Sequence, residues 1–186
     1  MNLTELSKTI RFHNGEKGFE SPEKDLDKKL LLAVSEICEA QEELRDGHGV
    51  TEVYYDNPNN LGIEILKNIK TSTHIKPCGF PVEIADCINR LLDICASFNF
   101  DVNVNTKGKE ISSKGLDHHL LLIVHLIGNT VNYSDIPNTR GFYNRLMESL
   151  YSLFSLCNYY EINIMKVIEE KLAFNKTRPP KHGRKF

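Results

Sequence analysis

Apolar positions recur along this chain at helical spacing, and polar breaks divide them into segments. The first predicted helix covers about 3–13, with Leu3, Leu6, Ile10 and Phe12 available for packing and Asn2 or Thr4 placed to cap it. A polar connection containing Gly15, Gly18 and Pro22 follows. The next helix, about 26–46, holds the run LLLAVSEICEAQEE without Gly or Pro. Leu30, Val34, Ile37 and Leu44 make its apolar stripe, and Gly47 and Gly49 end it. We read this segment as the organising element. Residues 48–79 are the least regular, with a short helix expected near 63–69. Pro77 and Gly79 lead into a helix over 80–98, with Ile84, Ile88, Leu91 and Cys95 inward. The stretch 102–111 reads as helix or strand. Helices over about 116–132, 142–160 and 162–175 follow, and the tail TRPPKHGRKF is basic.

The second half echoes the first. DKKLLLAVSEICE at 27–39 aligns with DHHLLLIVHLIGN at 117–129. Residues 79–104 align without gaps with 141–166, sharing a GF start and the Cys95/Cys157 pair. The pattern predicts an all-α fold: two tandem helical hairpins packed as a four-helix core with pseudo-twofold symmetry. It is a single domain over 1–186, with repeat one at about 26–112, a degenerate repeat two at about 116–175, and the basic tail at 176–186.

Composition narrows the functional classes. With 23 basic and 25 acidic residues, the net charge of -2 gives no pull toward nucleic acid or acidic membranes. No apolar run reaches the length of a membrane span. The start, MNLTELSKTIRF, does not read as a signal peptide, so a cytoplasmic location is expected. None of the five cysteines forms a CxxC pair. Cys38, Cys87, Cys95 and Cys157 fall in apolar helical patterns and are expected in the core, in a reducing compartment. Phosphate-binding and nucleophile-elbow glycine motifs are absent.

The chemistry-bearing positions are two acidic pairs. Glu36 and Glu39 lie about one helical turn apart, and so do Glu83 and Asp86, so each pair shares a helix face. The stripe through Glu36 and Glu39 begins at Leu32 and continues to Glu43. In the second half its equivalent is Leu122, Leu126, Asn129 and Tyr133, which reads as buried, so the acidic face is expected to point inward too. Inward carboxylates need protons, cations or a metal. In an antiparallel hairpin the two pairs meet, giving a hard-cation site for Mg²⁺ or Mn²⁺ built from Glu36, Glu39, Glu83 and Asp86. The second half lacks the acids of the first pair, so one such site per chain is expected. His118 and His119 are assigned to a helix surface, Asn14 and Phe19 to a pocket wall, and Asn89 and Arg90 to a secondary role near the acids.

SEICEAQEE, PVEIADCINRLLD and KLAFNKTRPPKHGRK together resemble the MazG-like all-α nucleoside triphosphate pyrophosphohydrolases, a superfamily that includes dimeric dUTPases and dCTPases. The resemblance runs from 17 through the tail. The family's ExxE then ExxD signature falls on Glu36/Glu39 and Glu83/Asp86, and its C-terminal Lys, Asn, Arg pattern on Lys171, Asn175 and Arg178. The connection between the acidic pairs is longer than the family's minimal pattern. The resemblance implies Mg²⁺-dependent hydrolysis of a nucleoside triphosphate to monophosphate and pyrophosphate. Glu36 or Glu39 would be the general base, and Lys171, Asn175 and Arg178 would contact phosphates or sugar. Lys181, His182, Arg184 and Lys185 would form a flap over the triphosphate. A dUTPase-like, dCTPase-like or phosphoribosyl-ATP-cleaving specificity, and a non-catalytic nucleotide-binding helical protein, are the alternatives. Homodimerisation through exposed helix faces is the expectation for assembly.

Overall fold

The Asn2 side chain accepts a hydrogen bond from the Thr4 amide at 2.9 Å, and the chain enters its first helix there, as its polar-then-apolar start predicts. The computed structural model describes residues 2–56 and 76–180. Within them lie six α-helices: α1 (Leu3–Glu16), α2 (Leu26–Arg45), α3 (Phe80–Ser97), α4 (Leu116–Asn129), α5 (Arg140–Tyr159) and α6 (Ile164–Thr177). Short 3₁₀ turns occupy Pro22–Lys24 and Thr130–Tyr133. The only strands among the described residues, β1 (Tyr54–Asp56) and β2 (Lys76–Cys78), pair antiparallel with Tyr54 opposite Cys78. The fold is therefore mostly helical with one small ribbon. Among the described residues, no helix is long and apolar enough to cross a membrane. The helix expected near 63–69 and the flap residues Lys181, His182, Arg184 and Lys185 lie outside the described residues.

The helix predicted over 3–13 runs one turn further, to Glu16. Leu3, Leu6 and Ile10 are buried, but Phe12 is exposed, because it sits across the helix from that stripe. Leu26, Leu30, Ala33, Ile37 and Ala40 form the buried side of α2, with Val34 and Leu44 half-buried beside them. Cys38 points to solvent, a correction to its placement in the core: an apolar residue inside a helical run still has to fall on the packed face. Cys87, Cys95 and Cys157 are buried as expected. Residues 102–111 adopt neither helix nor strand.

Helix α3, rather than α2, is the centre of the molecule. Of its 18 residues 15 are buried, and α1, α2, α5 and α6 all pack against it. Its apolar residues run almost all the way round, which is the signature of a helix surrounded by others. The helices α2, α3, α5 and α4 close a ring in which each packs on the next, and α1 and α6 cover the remaining flanks of α3.

The ends of α3 and α5 are built alike. After α3, the Phe100 amide reaches back to the Cys95 carbonyl at 2.9 Å while Asn99 takes a left-handed φ of 56°. After α5, the Ile162 amide bonds the Cys157 carbonyl at 2.8 Å with Glu161 at φ 58°. Both ends satisfy otherwise unpaired helix carbonyls by a six-to-one bond around a left-handed residue. Neither uses glycine at that position.

The stripe Leu122, Leu126, Asn129, Tyr133 is not buried as expected. Leu122 is exposed and the other three are half-buried, and α4 instead packs through His119, Leu120, Ile123 and Ile127. His119 is accordingly a buried residue, not a surface one.

Candidate functional site

The acidic cluster forms where the second half of α2 crosses the start of α3. Gly79 sets the entry to α3 with φ +111°, and its carbonyl accepts the Val82 amide at 2.8 Å. This puts Glu83 in the first turn, where the helix dipole favours a negative charge. Glu36 and Glu83 are 4 % and 5 % exposed, whereas Glu39 faces solvent, so only one member of the first acidic pair points inward as anticipated. Glu36, Glu39 and Glu83 each bring a carboxylate oxygen to within 4.8 Å of the others.

Asp86, expected as the fourth donor, is instead engaged by Lys171. The Nζ of Lys171 lies 2.7 Å from Asp86 Oδ2, and this lysine is 3 % exposed. In this state Lys171 holds a carboxylate of the cluster rather than offering its charge to a phosphate. Arg90, four residues beyond Asp86, donates from Nε and Nη2 to Glu36 Oε1, each at 2.5 Å. Both contacts fall on one oxygen. Among the described residues, Arg90 and Lys171 each engage one of the four carboxylates, and the exposed Glu39 and buried Glu83 are in no ion pair. Three oxygen donors, two of them outside any such pair, suit a hard divalent cation.

Burial dominates the electrostatics. It pushes the Glu83 carboxyl up to about 7, with Lys171 opposing it and Asp86, Glu36 and Glu39 adding to it. Burial also raises Glu36, against the pull of Arg90. For Lys171 burial acts downward, but Asp86, Glu83 and Glu36 outweigh it and hold the ammonium above its ordinary value.

A second ion pair extends this face of α3. Arg11 Nη1 donates to both oxygens of Asp93 at 3.0 and 3.1 Å, and Nη2 donates to the Phe19 carbonyl at 3.1 Å. This joins α1 and its following loop to α3. Asn14 pulls the Asp93 carboxyl down against its burial, and the Phe19 carbonyl accepts from the same arginine, so both residues expected at a pocket wall belong to this ion pair's surroundings. Nothing local in the sequence marks the pairing of Arg11 with Asp93, which lie 82 residues apart.

Glu43, which continues the acidic stripe, is diverted. The Tyr54 hydroxyl donates to its carboxylate at 3.1 and 3.3 Å, with His48 stacked on the Tyr54 ring at 4.2 Å. On α6, Asn175 is half-buried and its Oδ1 has no hydrogen-bond partner among the described residues, and the Arg178 guanidinium lies 5.8 Å from the Phe174 ring. Asn89 is buried on α3, and neither side-chain amide atom has a hydrogen-bond partner among the described residues. Of the three tail residues singled out in the sequence, Lys171 is tied to the acids, through Asp86. In comparisons with known proteins, no family model, curated protein or solved structure matches the chain.

Proposed function

We propose that the protein is a divalent-cation-dependent hydrolase that splits a nucleoside triphosphate into the monophosphate and pyrophosphate. The observation that carries the reading is the convergence of Glu36, Glu39 and Glu83 at the α2–α3 crossing, with Glu39 and Glu83 in no ion pair among the described residues. It adds to the ExxE, ExxD and C-terminal Lys–Asn–Arg pattern that resembles the MazG-like enzymes. Mg²⁺ or Mn²⁺, held by these three carboxylates, would supply charge neutralisation at the phosphates and a more acidic water.

The chain's own groups divide the remaining work. Arg90 fixes the buried Glu36, and Lys171 fixes Asp86. Glu39 is solvent-facing while Arg90 occupies Glu36, so Glu39 is the better general base of the two glutamates considered. Asn175 stands one turn beyond Lys171 on α6, and contact with the phosphates or sugar is its proposed part. The tandem-hairpin reading belongs to the same proposal. It is supported by the ring α2–α3–α5–α4 and by the matching ends of α3 and α5, which fall at aligned positions of the two halves.

A second reading is a non-catalytic nucleotide-binding protein, favoured by the fact that two of the four acids already have internal cation partners. One assay separates them: incubation with a panel of ribo- and deoxyribonucleoside triphosphates, with Mg²⁺ or with EDTA. Metal-dependent monophosphate plus pyrophosphate is the expected product pair. Diphosphate plus inorganic phosphate would point to another reaction, and a folded, Mg²⁺-binding protein without turnover would favour the second reading.

A further inference from the structure

Among the described residues, Lys171 is the only lysine or arginine that is buried. It reaches the acidic cluster from α6, and its Nζ lies 2.7 Å from Asp86 Oδ2. A buried ammonium is costly unless a counterion compensates it, so Lys171 needs a carboxylate or an equivalent anion wherever it rests. Asp86 is the more open partner, with its side chain 20 % exposed, so its carboxylate can be approached from solvent while it holds the lysine. The pair therefore joins a cation that must stay paired to an acid that another cation can reach.

The pair is set inside the acidic cluster. Asp86 follows Glu83 by three residues on α3, so the two share a helix face. Burial raises the Glu83 carboxyl and Lys171 is the first charge to oppose it, so the lysine acts on the whole cluster and not on Asp86 alone. Glu83 is buried yet in no ion pair among the described residues, and its carboxylate oxygen lies within 4.8 Å of those of Glu36 and Glu39. A hard cation drawn to these three oxygens meets an ammonium that already neutralises the neighbouring acid. Two positive charges so placed repel each other, and a divalent ion, with twice the charge and a preference for several oxygens, holds the carboxylates more firmly than an ammonium does.

We propose that Lys171 is an exchangeable counterion: it holds Asp86 until a divalent cation reaches the cluster, gives Asp86 up to that cation, and only then is free to bond a phosphate oxygen of the substrate. This exchange rests on the metal-dependent reading above and regulates the same site. Binding is thereby ordered. Before the cation, the lysine is spent on Asp86 and an anionic substrate meets carboxylates. Afterwards the same substrate meets the cation and a released ammonium that requires a new anionic partner. A pair that is only structural makes the opposite demand: it keeps Asp86 aimed, and its loss weakens metal binding.

The test is Mn²⁺ binding to the full chain by titration calorimetry, without nucleotide and at fixed pH. Lys171→Met keeps the buried stem and removes the charge, and circular dichroism checks that it folds. It is expected to bind Mn²⁺ about tenfold more tightly than the parent, because the competitor for Asp86 is gone. Removing any nearby positive charge favours a cation, so the same change is made in an Asp86→Asn background, where no carboxylate is contested. There the gain is expected to shrink to about twofold or less. A second measurement uses the parent alone. Exchange of the Lys171 ammonium protons with water, followed by nitrogen NMR and slow in EDTA, is expected to quicken at least about tenfold in saturating Mg²⁺. A Lys171→Met variant that binds no more tightly, an equal gain in both backgrounds, or ammonium exchange unchanged by Mg²⁺ would overturn the exchange and leave the metal centre standing. No Mn²⁺ binding by either the parent or Lys171→Met would overturn the exchange and the metal-dependent reading together.

Discussion

Glu39 and Glu83 approach the same point from different environments, and their variants should separate the cluster's chemistry from its cost. Glu39 is exposed, so Glu39→Gln is expected to abolish turnover with the unfolding midpoint unchanged, read by pyrophosphate release and circular dichroism. Glu83 is buried, and its carboxyl is displaced upward from 4.5 to about 7, chiefly by burial. An acid whose pKa is raised on folding stabilises the fold fully below its unfolded value and loses that contribution as pH climbs through the folded one. In EDTA, stability should therefore fall between pH 5 and pH 8, by about 3 kcal/mol if Glu83 alone sets it. Glu83→Gln keeps the shape without the charge, so it should flatten that slope and raise Tm at pH 8, with little change at pH 5. An unchanged pH slope in this variant would assign the effect to other groups.

At the scale of the elements, α3 is the piece to perturb. Gly79, at its entry, has φ +111°, and a Cβ there would come within 2.4 Å of the Glu52 carbonyl oxygen. Gly79→Ala should cost about 1–3 kcal/mol for the backbone alone, more with the clash, as measured by urea unfolding. Arg11→Met leaves Asp93 buried without its main partner and should cost about 3 kcal/mol, with Arg11→Met/Asp93→Asn recovering part of it. The helices themselves were legible in the sequence because a 3.6-residue period and glycine or proline breaks mark them locally, and observed ends fall within a few residues of those expected. The role of α3 was also visible in its near-continuous apolar composition, although the acid-rich α2 drew the emphasis. What spacing does not carry is which face an isolated apolar residue occupies, hence Cys38 and Phe12. Nor does it carry partners distant in the chain: the proximity of the two acidic pairs followed from hairpin geometry, whereas the engagement of Asp86 by Lys171, across 85 positions, is set by the packing of α6.

For the whole molecule, metal and pH should act together. A cation that binds the folded cluster stabilises the fold by mass action, and it competes with protons for the same oxygens. Millimolar Mg²⁺ should therefore raise Tm more at pH 8 than at pH 5, relative to EDTA, in a thermal scan, and Glu83→Gln should reduce that gain. A gain equal at both pH values would argue for cation binding elsewhere. The packing around α3 has one more consequence, for synthesis. Chain growth is directional, and α6, which follows every other described helix, is what covers the last flank of α3 and brings Lys171 to Asp86. On the ribosome, the earlier helices can gather while that flank is still open. A nascent chain stalled before residue 164 would carry an uncovered greasy surface beside a carboxylate lacking its counterion. Completion of the site and concealment of the sticky face are thus the same late event, so chaperone binding to stalled chains should end when α6 emerges.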